Sequence, residues 1–211
     1  MAGKKGYFAV KVDLSKAYDK LNWEFIWRVL TEVGLPENVI NLIMHMVTSV
    51  ETNVKWNGAR ADYFRPQRGI RQGDPISPYL FVMCIDKLSH LISHEVNIGD
   101  WKALRAGRGG PLVSHLMFAD DLLLFGEATE NQISCVMKVL KEFCSMSGQE
   151  VSQEKTSIFF SKNTKRHIRD IVVQKSGFRE TANHSHLVRN SLRYVVRIRV
   201  RGTQPIKYWV R

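Results

Sequence analysis

The stretch Phe118-Ala119-Asp120-Asp121 decides the fold, because it places two adjacent carboxylates between two apolar runs. Residues 112–117 (LVSHLM) precede it, residues 122–125 (LLLF) follow it, and Gly126 closes the pattern. Two short apolar runs that meet at an Asp-containing turn are typical of a β-hairpin, since Asp tolerates the backbone conformations of a tight turn. Two like charges at the tip of a buried hairpin repel each other, and a divalent metal would offset that repulsion. The stretch therefore indicates a metal-binding tip, with solvated turn acids as the alternative.

The composition is that of a globular protein with one full domain core. The chain has 211 residues, of which 44% are hydrophobic and 24% charged, and both fractions are ordinary for folded domains. No apolar run approaches the roughly 20 residues of a membrane span, and no apolar segment of a secretory signal follows the basic start. Cys84, Cys135 and Cys144 form no CxxC pair and lie in apolar patterns, which predicts buried free thiols. We expect no membrane partner.

The excess of positive over negative charge lies entirely in the last 50 residues of the chain. Residues 1–161 carry 18 Lys+Arg and 18 Asp+Glu, whereas residues 162–211 carry 13 and 2, which accounts for the whole net charge of +11. Apolar periodicity also weakens after Ser161, and residues 195–201 alternate Arg with β-branched residues. We predict a main domain at 1–161 and a basic, poorly patterned tail at 162–211. The tail is interpreted as an edge strand, a disordered segment or an aberrant sequence from a shifted reading frame or splicing.

Periodicity predicts the order strand, two helices, hairpin, helix, hairpin, helix, strand up to Ser161. The predicted elements are strands 7–12 and 156–160, hairpins 52–64 and 112–125, and helices at 23–33, at 36 to about 49, at about 79–93 and from the capping box at Thr129 to near Gly148. Asn22 is a predicted N-cap, as is Ser77 before Pro78, and Thr129 with Gln132 forms a predicted capping box.

This order predicts an α+β fold, a small antiparallel sheet with helices packed on one face. Such a sheet brings strand ends together from distant parts of the chain. Asp13 follows the strand at 7–12 and is expected to meet Asp120 and Asp121 there. The alternative for Asp13 is a helix-capping or turn acid.

Carboxylates held on rigid elements suit one particular chemistry. Two-metal phosphoryl transfer uses them to hold two hard cations about 4 Å apart. Mg²⁺ prefers oxygen ligands at about 2.1 Å and is often held by one or two carboxylates together with substrate phosphates. Asp13 with Asp120 would suffice as protein ligands, and Asp121 would assist.

Four stretches, in family order and at family spacing, resemble the motifs of reverse transcriptases. Residues 8–19 (FAVKVDLSKAYD) look like motif A, 69–78 (GIRQGDPISP) like motif B, 118–121 (FADD) like motif C, and 143–156 like motif D. The combination of FADD with GIRQGDPISP is similar to LINE-type (non-LTR) retrotransposons, particularly those of plant genomes. The resemblance covers about residues 6–163 and implies a polymerase palm.

The resemblance implies catalytic and metal-binding roles for Asp13, Asp120 and Asp121, with two Mg²⁺ ions that Mn²⁺ can replace. Tyr18 matches the residue that excludes a 2′-hydroxyl and so selects dNTPs, although a core aromatic is the alternative. Lys155 matches the motif D lysine proposed to protonate pyrophosphate.

Motif B implies further contacts with substrate and nucleic acid. Gln72 and Gly73 match the loop that shapes the dNTP pocket, and a glycine allows close backbone approach. Arg68 and Arg71 are expected to contact nucleic-acid phosphates. Asp19 and Asp74 are expected to cap or pair locally.

The resemblance implies RNA-directed DNA polymerase activity, with an RNA template, a DNA primer and dNTPs as partners and an intracellular location, nuclear or cytoplasmic. Motif A begins almost at the N-terminus, so a fingers subdomain and most of a thumb are expected to be missing. Positioning of substrates is most of this catalysis, and we therefore expect a truncated palm that is inactive alone. The alternative function is a non-catalytic, basic nucleic-acid-binding remnant.

Overall fold

The computed structural model describes residues 5–107, 109–118 and 121–181, with the side chain of Phe118 left out. These residues form a mixed helix and strand fold, which confirms the α+β class. The helices are α1 (Ala17–Lys20), α2 (Trp23–Glu32), α3 (Glu37–Thr48), α4 (Ser77–Ile98), α5 (Glu130–Ser147) and α6 (Arg166–Ser176). The strands are β1 (Tyr7–Val12), β2 (Lys55–Trp56), β3 (Ala59–Arg60), β4 (Leu104–Arg105), β5 (Leu112–Val113), β6 (His115–Phe118), β7 (Asp121–Glu127), β8 (Ser157–Phe160) and β9 (Arg179–Glu180).

The chain divides into two compact units, and the first contains the main sheet. This unit comprises Met1–Asp13, Lys102–Ser134 and Gln153–Arg211. Its five strands lie in the order β6-β7-β1-β8-β9, and all neighbours are antiparallel except β8 and β9, which are parallel. The sheet is therefore mainly antiparallel, as predicted, with one parallel pair at its edge.

Strand β1 lies at the centre of this sheet, paired with β7 on one side and β8 on the other, and its residues alternate between a buried and a half-buried face with a period of two. Phe8, Val10 and Val12 are at most 2% exposed, whereas the residues between them are half-buried. Leu122 and Leu124 of β7 face the same core. This single buried face sets the register, since a slip of one residue would turn the apolar set outwards.

The second unit, Leu14–Trp101 and Cys135–Ser152, is mainly helical. Helix α2 packs against α3 and α4, and the phenyl rings of Phe25 and Phe143 meet edge to face at 6.0 Å between centroids. Aromatic pairs favour this geometry because the positive ring edge meets the negative face. Leu88 and Ile92 of α4 are fully buried.

The helix ends show where local sequence signals were sufficient. Asn22 caps α2 as predicted, since its Oδ1 accepts a hydrogen bond from Glu24 N–H at 2.8 Å. The predicted N-cap Ser77 is wrong: it is the first residue of α4, after Ile76. Asp74 is the local partner there, because its Oδ1 accepts from Ile76 N–H at 3.1 Å. Helix α4 also extends to Ile98, five residues beyond the predicted end.

The Thr129 half of the predicted capping box is present at α5, since the hydroxyl of Thr129 accepts from Gln132 N–H at 3.3 Å. The side-chain oxygen of Gln132 accepts from Lys102 N–H at 2.7 Å. The glutamine therefore ties the start of the helix to a distant segment of the same unit.

Residues 162–181 contribute to the first unit. Helix α6 buries Val172, strand β9 pairs with β8, and Phe178 is 2% exposed. The guanidinium of Arg169 lies 5.7 Å from the ring centroid of Phe160, within the range of a cation–π contact. The Arg-rich alternation at 195–201 lies outside the described residues, and the division at Ser161 stays a prediction.

No helix in the described part of the chain combines the length and apolar character that crossing a membrane requires. All three cysteines are free thiols, as predicted; Cys84 is buried, whereas Cys135 and Cys144 are half-buried.

A buried carboxylate of α4 pairs with a largely exposed lysine of α5 in the second unit. Glu95, 5% exposed, accepts hydrogen bonds from Lys138 Nζ at 2.9 Å and from Cys135 Sγ at 3.4 Å. The hydrogen bond from Lys138 holds the pKa of Glu95 below its ordinary value of 4.5. Burial, with the hydrogen bond to Glu95, raises the pKa of Cys135 to about 12, so this thiol stays protonated at neutral pH.

We predict that Glu95→Gln lowers the free energy of unfolding by about 1–3 kcal/mol at pH 7, the contribution typical of hydrogen bonds to charged groups. A lowered folded-state pKa stabilises the protein above the unfolded pKa, and this contribution is lost as pH falls through the folded pKa. The difference between wild type and variant in urea unfolding should therefore shrink below pH 4.5. Glu142→Gln, at an exposed position of α5, is the control; an equal loss there would contradict the prediction.

Candidate functional site

The pairing of β1 with β7 brings Asp13 and Asp121 together in the first unit. The register ends at the pair Val12↔Leu122, so continuing it by one residue on each strand places Asp13 level with Asp121. Directly opposite residues of an antiparallel pair have Cβ atoms about 4.5–5.5 Å apart. The structure thus brings two of the three predicted acids to one end of the sheet, and Asp120 lies outside the described residues.

A lysine that sequence analysis did not select belongs to this carboxylate pair. Lys11 Nζ lies 3.1 Å from Asp121 Oδ1, and the two side chains are 30% and 39% exposed. Lys11 and Asp13 lie on the same face of β1 because side chains of a strand alternate. The sequence contains a signal for this contact, since Lys11 precedes Asp13 by two residues on the same strand.

The end of β1 is fixed by a buried threonine. Thr156 is 0% exposed, and its Oγ1 accepts a hydrogen bond from Asp13 N–H at 3.2 Å. Lys155, the predicted motif D lysine, is the exposed neighbour of Thr156 at the start of β8. The structure therefore connects the motif D segment to the backbone of Asp13 through the side-chain hydroxyl of Thr156. Thr156 was predicted only as part of a strand, and no local pattern marks its hydrogen bond.

Tyr18 belongs to the second unit and lies against its core. Its ring stacks on that of Phe81, with centroids 4.9 Å apart and planes 14° apart. Phe81 is 1% exposed, whereas Tyr18 is half-buried. One face of the Tyr18 ring is thus packed on Phe81. This arrangement is compatible with a core aromatic and also with a rigid ring that selects dNTPs.

The motif B loop is anchored to motif A within the second unit. Gln72 Nε2 donates to Asp19 Oδ1 at 3.2 Å. The expected local pairing of Asp19 is therefore replaced by a hydrogen bond to a residue 53 positions away in the sequence. Backbone bonds from Gly69 N–H to Leu21 O at 2.7 Å and from Ile70 N–H to Tyr18 O at 2.9 Å hold the loop in place.

Two glycines of this loop have positive φ, but they differ in how closely neighbouring atoms pack against them. Gly69, at φ 89°, packs so closely that an added Cβ would lie 2.6 Å from Asp19 O. Gly73, at φ 88°, has no atom within 4 Å of that position. Arg68 and Arg71 of the same loop are exposed. The loop therefore combines a tightly packed base with an open, cationic part.

No group of three or more His, Cys, Asp or Glu side chains suited to a metal ion occurs in the part of the chain that is described. Asp13 and Asp121 contribute two such side chains, and their oxygens are of the kind that Mg²⁺ and Mn²⁺ prefer. Lys11 already places one positive charge beside Asp121. This donor set suits a hard divalent cation.

The sequence and the fold identify the class of protein. The chain matches the family described as "Reverse transcriptase (RNA-dependent DNA polymerase)" over residues 2–208. The chain belongs to this family. The match extends beyond residue 163, where the resemblance of individual motifs ends.

The relatives are retrotransposon proteins and a plant protein. The chain is 28% identical to a retrovirus-related Pol polyprotein from a type-2 retrotransposable element of Drosophila melanogaster, over 70% of this chain and 13% of that protein. It is 28% identical to a polyprotein from a type-1 element of Popillia japonica, over 72% of this chain and 21% of that protein. An uncharacterized mitochondrial protein of Arabidopsis thaliana is 45% identical over 31% of this chain and 53% of that protein.

These matches confirm the resemblance to reverse transcriptases of LINE-type elements. The chain spans about an eighth of the Drosophila polyprotein and about a fifth of the Popillia polyprotein.

Solved telomerase structures share the fold. The telomerase of Candida albicans, in complex with a fragment of telomeric RNA, aligns with a TM-score of 0.58 and 16% identity, over 76% of this chain and 27% of that one. The apo telomerase of Candida tropicalis aligns with a TM-score of 0.54 and 18% identity, over 75% and 31%. These likenesses confirm the palm-like α+β fold.

We predict that Thr156→Val detaches the end of β1, because the Asp13 amide loses its acceptor while the side-chain volume is kept. An unpaired buried group costs about 1–3 kcal/mol. Urea unfolding should show this loss, and hydrogen exchange at the Asp13 amide should accelerate. Thr156→Ser retains the hydroxyl and is the control for exchange; equal exchange rates in the two variants would show that the hydrogen bond does not hold this strand end.

Proposed function

We propose that this chain carries the catalytic palm of an RNA-directed DNA polymerase, which joins dNTPs to a DNA primer on an RNA template. The observation that supports this most strongly is the β1–β7 register, which when continued by one residue places Asp13 opposite Asp121. The two acids come from motifs A and C, and membership of the reverse transcriptase family supports the same chemistry.

Asp13 and Asp120 are the proposed ligands of two Mg²⁺ ions, and Asp121 lies beside them. Reverse transcriptases generally use divalent metal ions, and Mn²⁺ has the same preference for carboxylate oxygen. Bound metal would supply charge stabilisation for the attacking primer hydroxyl and for the leaving pyrophosphate. Lys11 offsets the charge of Asp121 at 3.1 Å and so limits repulsion between the acids before metal arrives.

The other site residues have proposed roles in holding the dNTP. Tyr18, supported by Phe81, presents a rigid ring that would exclude a ribose 2′-hydroxyl. Gln72 is oriented by Asp19, and Gly73 leaves open space beside the loop. Lys155 would donate a proton to the pyrophosphate oxygen as the new phosphodiester bond forms.

Arg68 and Arg71 are the proposed phosphate contacts for template or primer. Both side chains are exposed, and guanidinium groups bind phosphate oxygens through paired N–H donors. All nine proposed site residues lie within 1–161, so we propose that this part performs the chemistry and that 162–211 form a basic extension.

Metal titration tests the proposed site directly. Wild type should bind Mn²⁺ in isothermal titration calorimetry, and Asp13→Asn should lose this binding while unfolding at the same urea concentration. Lys11→Met should bind Mn²⁺ several-fold more tightly, because a positive charge a few ångströms from the metal opposes it by about 1 kcal/mol or more. Asp170→Asn, at an exposed position of α6, is the matched control. Unchanged binding in Asp13→Asn would exclude this metal site.

We predict negligible primer extension by the 211-residue chain alone, because the chemistry depends mainly on substrate positioning and the chain spans 13% of the Drosophila polyprotein. The assay is Mg²⁺-dependent extension of oligo(dT) on poly(rA). Robust extension that Asp120→Ala abolishes would contradict the inactivity of the isolated chain and support the site.

A second candidate function is nucleic-acid binding without chemistry, which the net charge of +11 in residues 162–211 favours. Deleting residues 182–211, which follow β9 and carry seven Lys+Arg and no Asp+Glu, should then abolish RNA binding, and binding should weaken steeply with salt. An intact Mn²⁺ site in the same protein favours the polymerase palm over this alternative.

A further inference from the structure

The hairpin at residues 52–64 of the second unit exposes both basic and aromatic side chains. Strands β2 and β3 are joined by Asn57 and Gly58, whose φ values of 46° and 84° suit a tight hairpin turn. A bridge between Thr52 and Phe64 closes the base. All residues from 54 to 65 are exposed. This hairpin has no role in the proposed metal or dNTP sites.

One face of the hairpin carries two opposed cations. Lys55 and Arg60 are directly opposite each other in the β2–β3 register, and like charges in this position destabilise a hairpin. Neither has a carboxylate partner among the described residues. The repulsion is offset if an anion binds between them, which a phosphate group would do.

The other face carries an exposed indole. Trp56 is 79% exposed and adjoins the turn, and Val54 on the same face is 52% exposed. Tyr63 and Phe64 follow strand β3 towards the base of the hairpin, where they are 65% and 50% exposed. Flat aromatic rings beside cations are the elements that bind single-stranded nucleic acid, since bases stack on the rings while phosphates contact the charges.

The geometry favours a single strand over a duplex. Lys55 and Trp56 are consecutive and therefore project from opposite faces of the two-stranded ribbon. A flexible single strand that crosses the tip contacts both faces, whereas a stiff duplex lies against one of them.

The charge of the surrounding chain fits the same partner. Residues 51–72 contain five basic side chains (Lys55, Arg60, Arg65, Arg68 and Arg71) and two acidic side chains (Glu51 and Asp62). Arg65 is paired with Glu51 at 2.6 Å, so the remaining charge comes mainly from the other four cations. This cationic run is continuous along the chain with the proposed phosphate contacts Arg68 and Arg71. A protein partner would need a carboxylate between Lys55 and Arg60 and has no comparable support.

We propose that the hairpin at 52–64 is a binding site for single-stranded nucleic acid, in which a base stacks on Trp56 and phosphates contact Lys55 and Arg60. The inference rests on the proposed function only for the identity of the strand, which would be the template. The binding itself needs no metal.

Crosslinking of the full chain locates the strand. A short oligouridylate with 4-thiouridine is irradiated with the protein in EDTA, and tryptic peptides are analysed by mass spectrometry. Cleavage after Lys55 and Arg60 isolates Trp56 on the peptide 56–60 (WNGAR). We expect crosslinks on this peptide and none on peptide 21–28, which carries Trp27, 43% exposed on α2. Crosslinks confined to residues 162–211 would overturn the proposal.

Affinity measurements separate stacking from charge. In fluorescence anisotropy, Trp56→Ala should weaken oligouridylate binding about tenfold, Trp56→Phe should restore most of it, and Trp27→Ala should have no effect. The double variant Lys55→Gln, Arg60→Gln should reduce the slope of log K against log salt by about 1.4, since each single-strand phosphate contact contributes about 0.7. An unchanged affinity in Trp56→Ala, or an equal loss for a duplex of the same sequence, would overturn the proposal.

Failure of this inference is distinguishable from failure of the proposed function. Mn²⁺ titration reports on Asp13 and Asp121, whereas the crosslink is measured in EDTA and reports on Trp56. Loss of the metal signal with an intact crosslink would reject the polymerase site and retain the strand site. The opposite pattern would reject the strand site alone.

Discussion

The antiparallel pairing of β1 with β7 is the constraint on which the candidate site depends. Val10 and Leu124, both fully buried, fix the register of the two strands, because a slip of one residue would expose them. The same register forces Asp13 level with Asp121, an arrangement that repels unless a cation is present. Apolar burial on one face thus holds two carboxylates together at the strand ends, and Lys11 supplies the first compensating charge.

Local patterns were enough to predict the elements that hold this site. Strand β1 was predicted at its observed bounds because its period of two is uninterrupted, and Asn22 was recognised as a cap because its role involves a hydrogen bond only two residues away. The predicted order of elements, through the antiparallel sheet that it implies, also placed Asp13 near the hairpin at 112–125. The signals for β1 and for the Asn22 cap lie within a few consecutive residues, where sequence and structure are most directly connected.

The contacts that sequence analysis missed join residues that are distant along the chain. Thr156 receives the Asp13 amide across neighbouring strands, and α4 continues to Ile98 where it buries Glu95 against Lys138. Neither contact can be predicted from a window of ten residues, because the two partners are 143 residues apart in the first case and 43 in the second. The basic composition after Ser161 likewise concealed the few apolar positions of α6 and β9 that enter the core, such as Val172, which is fully buried.

The motif B loop contains one glycine that packing requires and another that packing does not require. Gly69 and Gly73 share the same backbone conformation, but only Gly69 is also required by packing, because a side chain there would strike Asp19 O. At Gly73 the space beside the backbone is open. Gln72 lies between them, held by Asp19. In the proposed dNTP site, this loop would hold the Gln72 amide beside the nucleotide, because its base is bound to motif A and the space beside Gly73 is open.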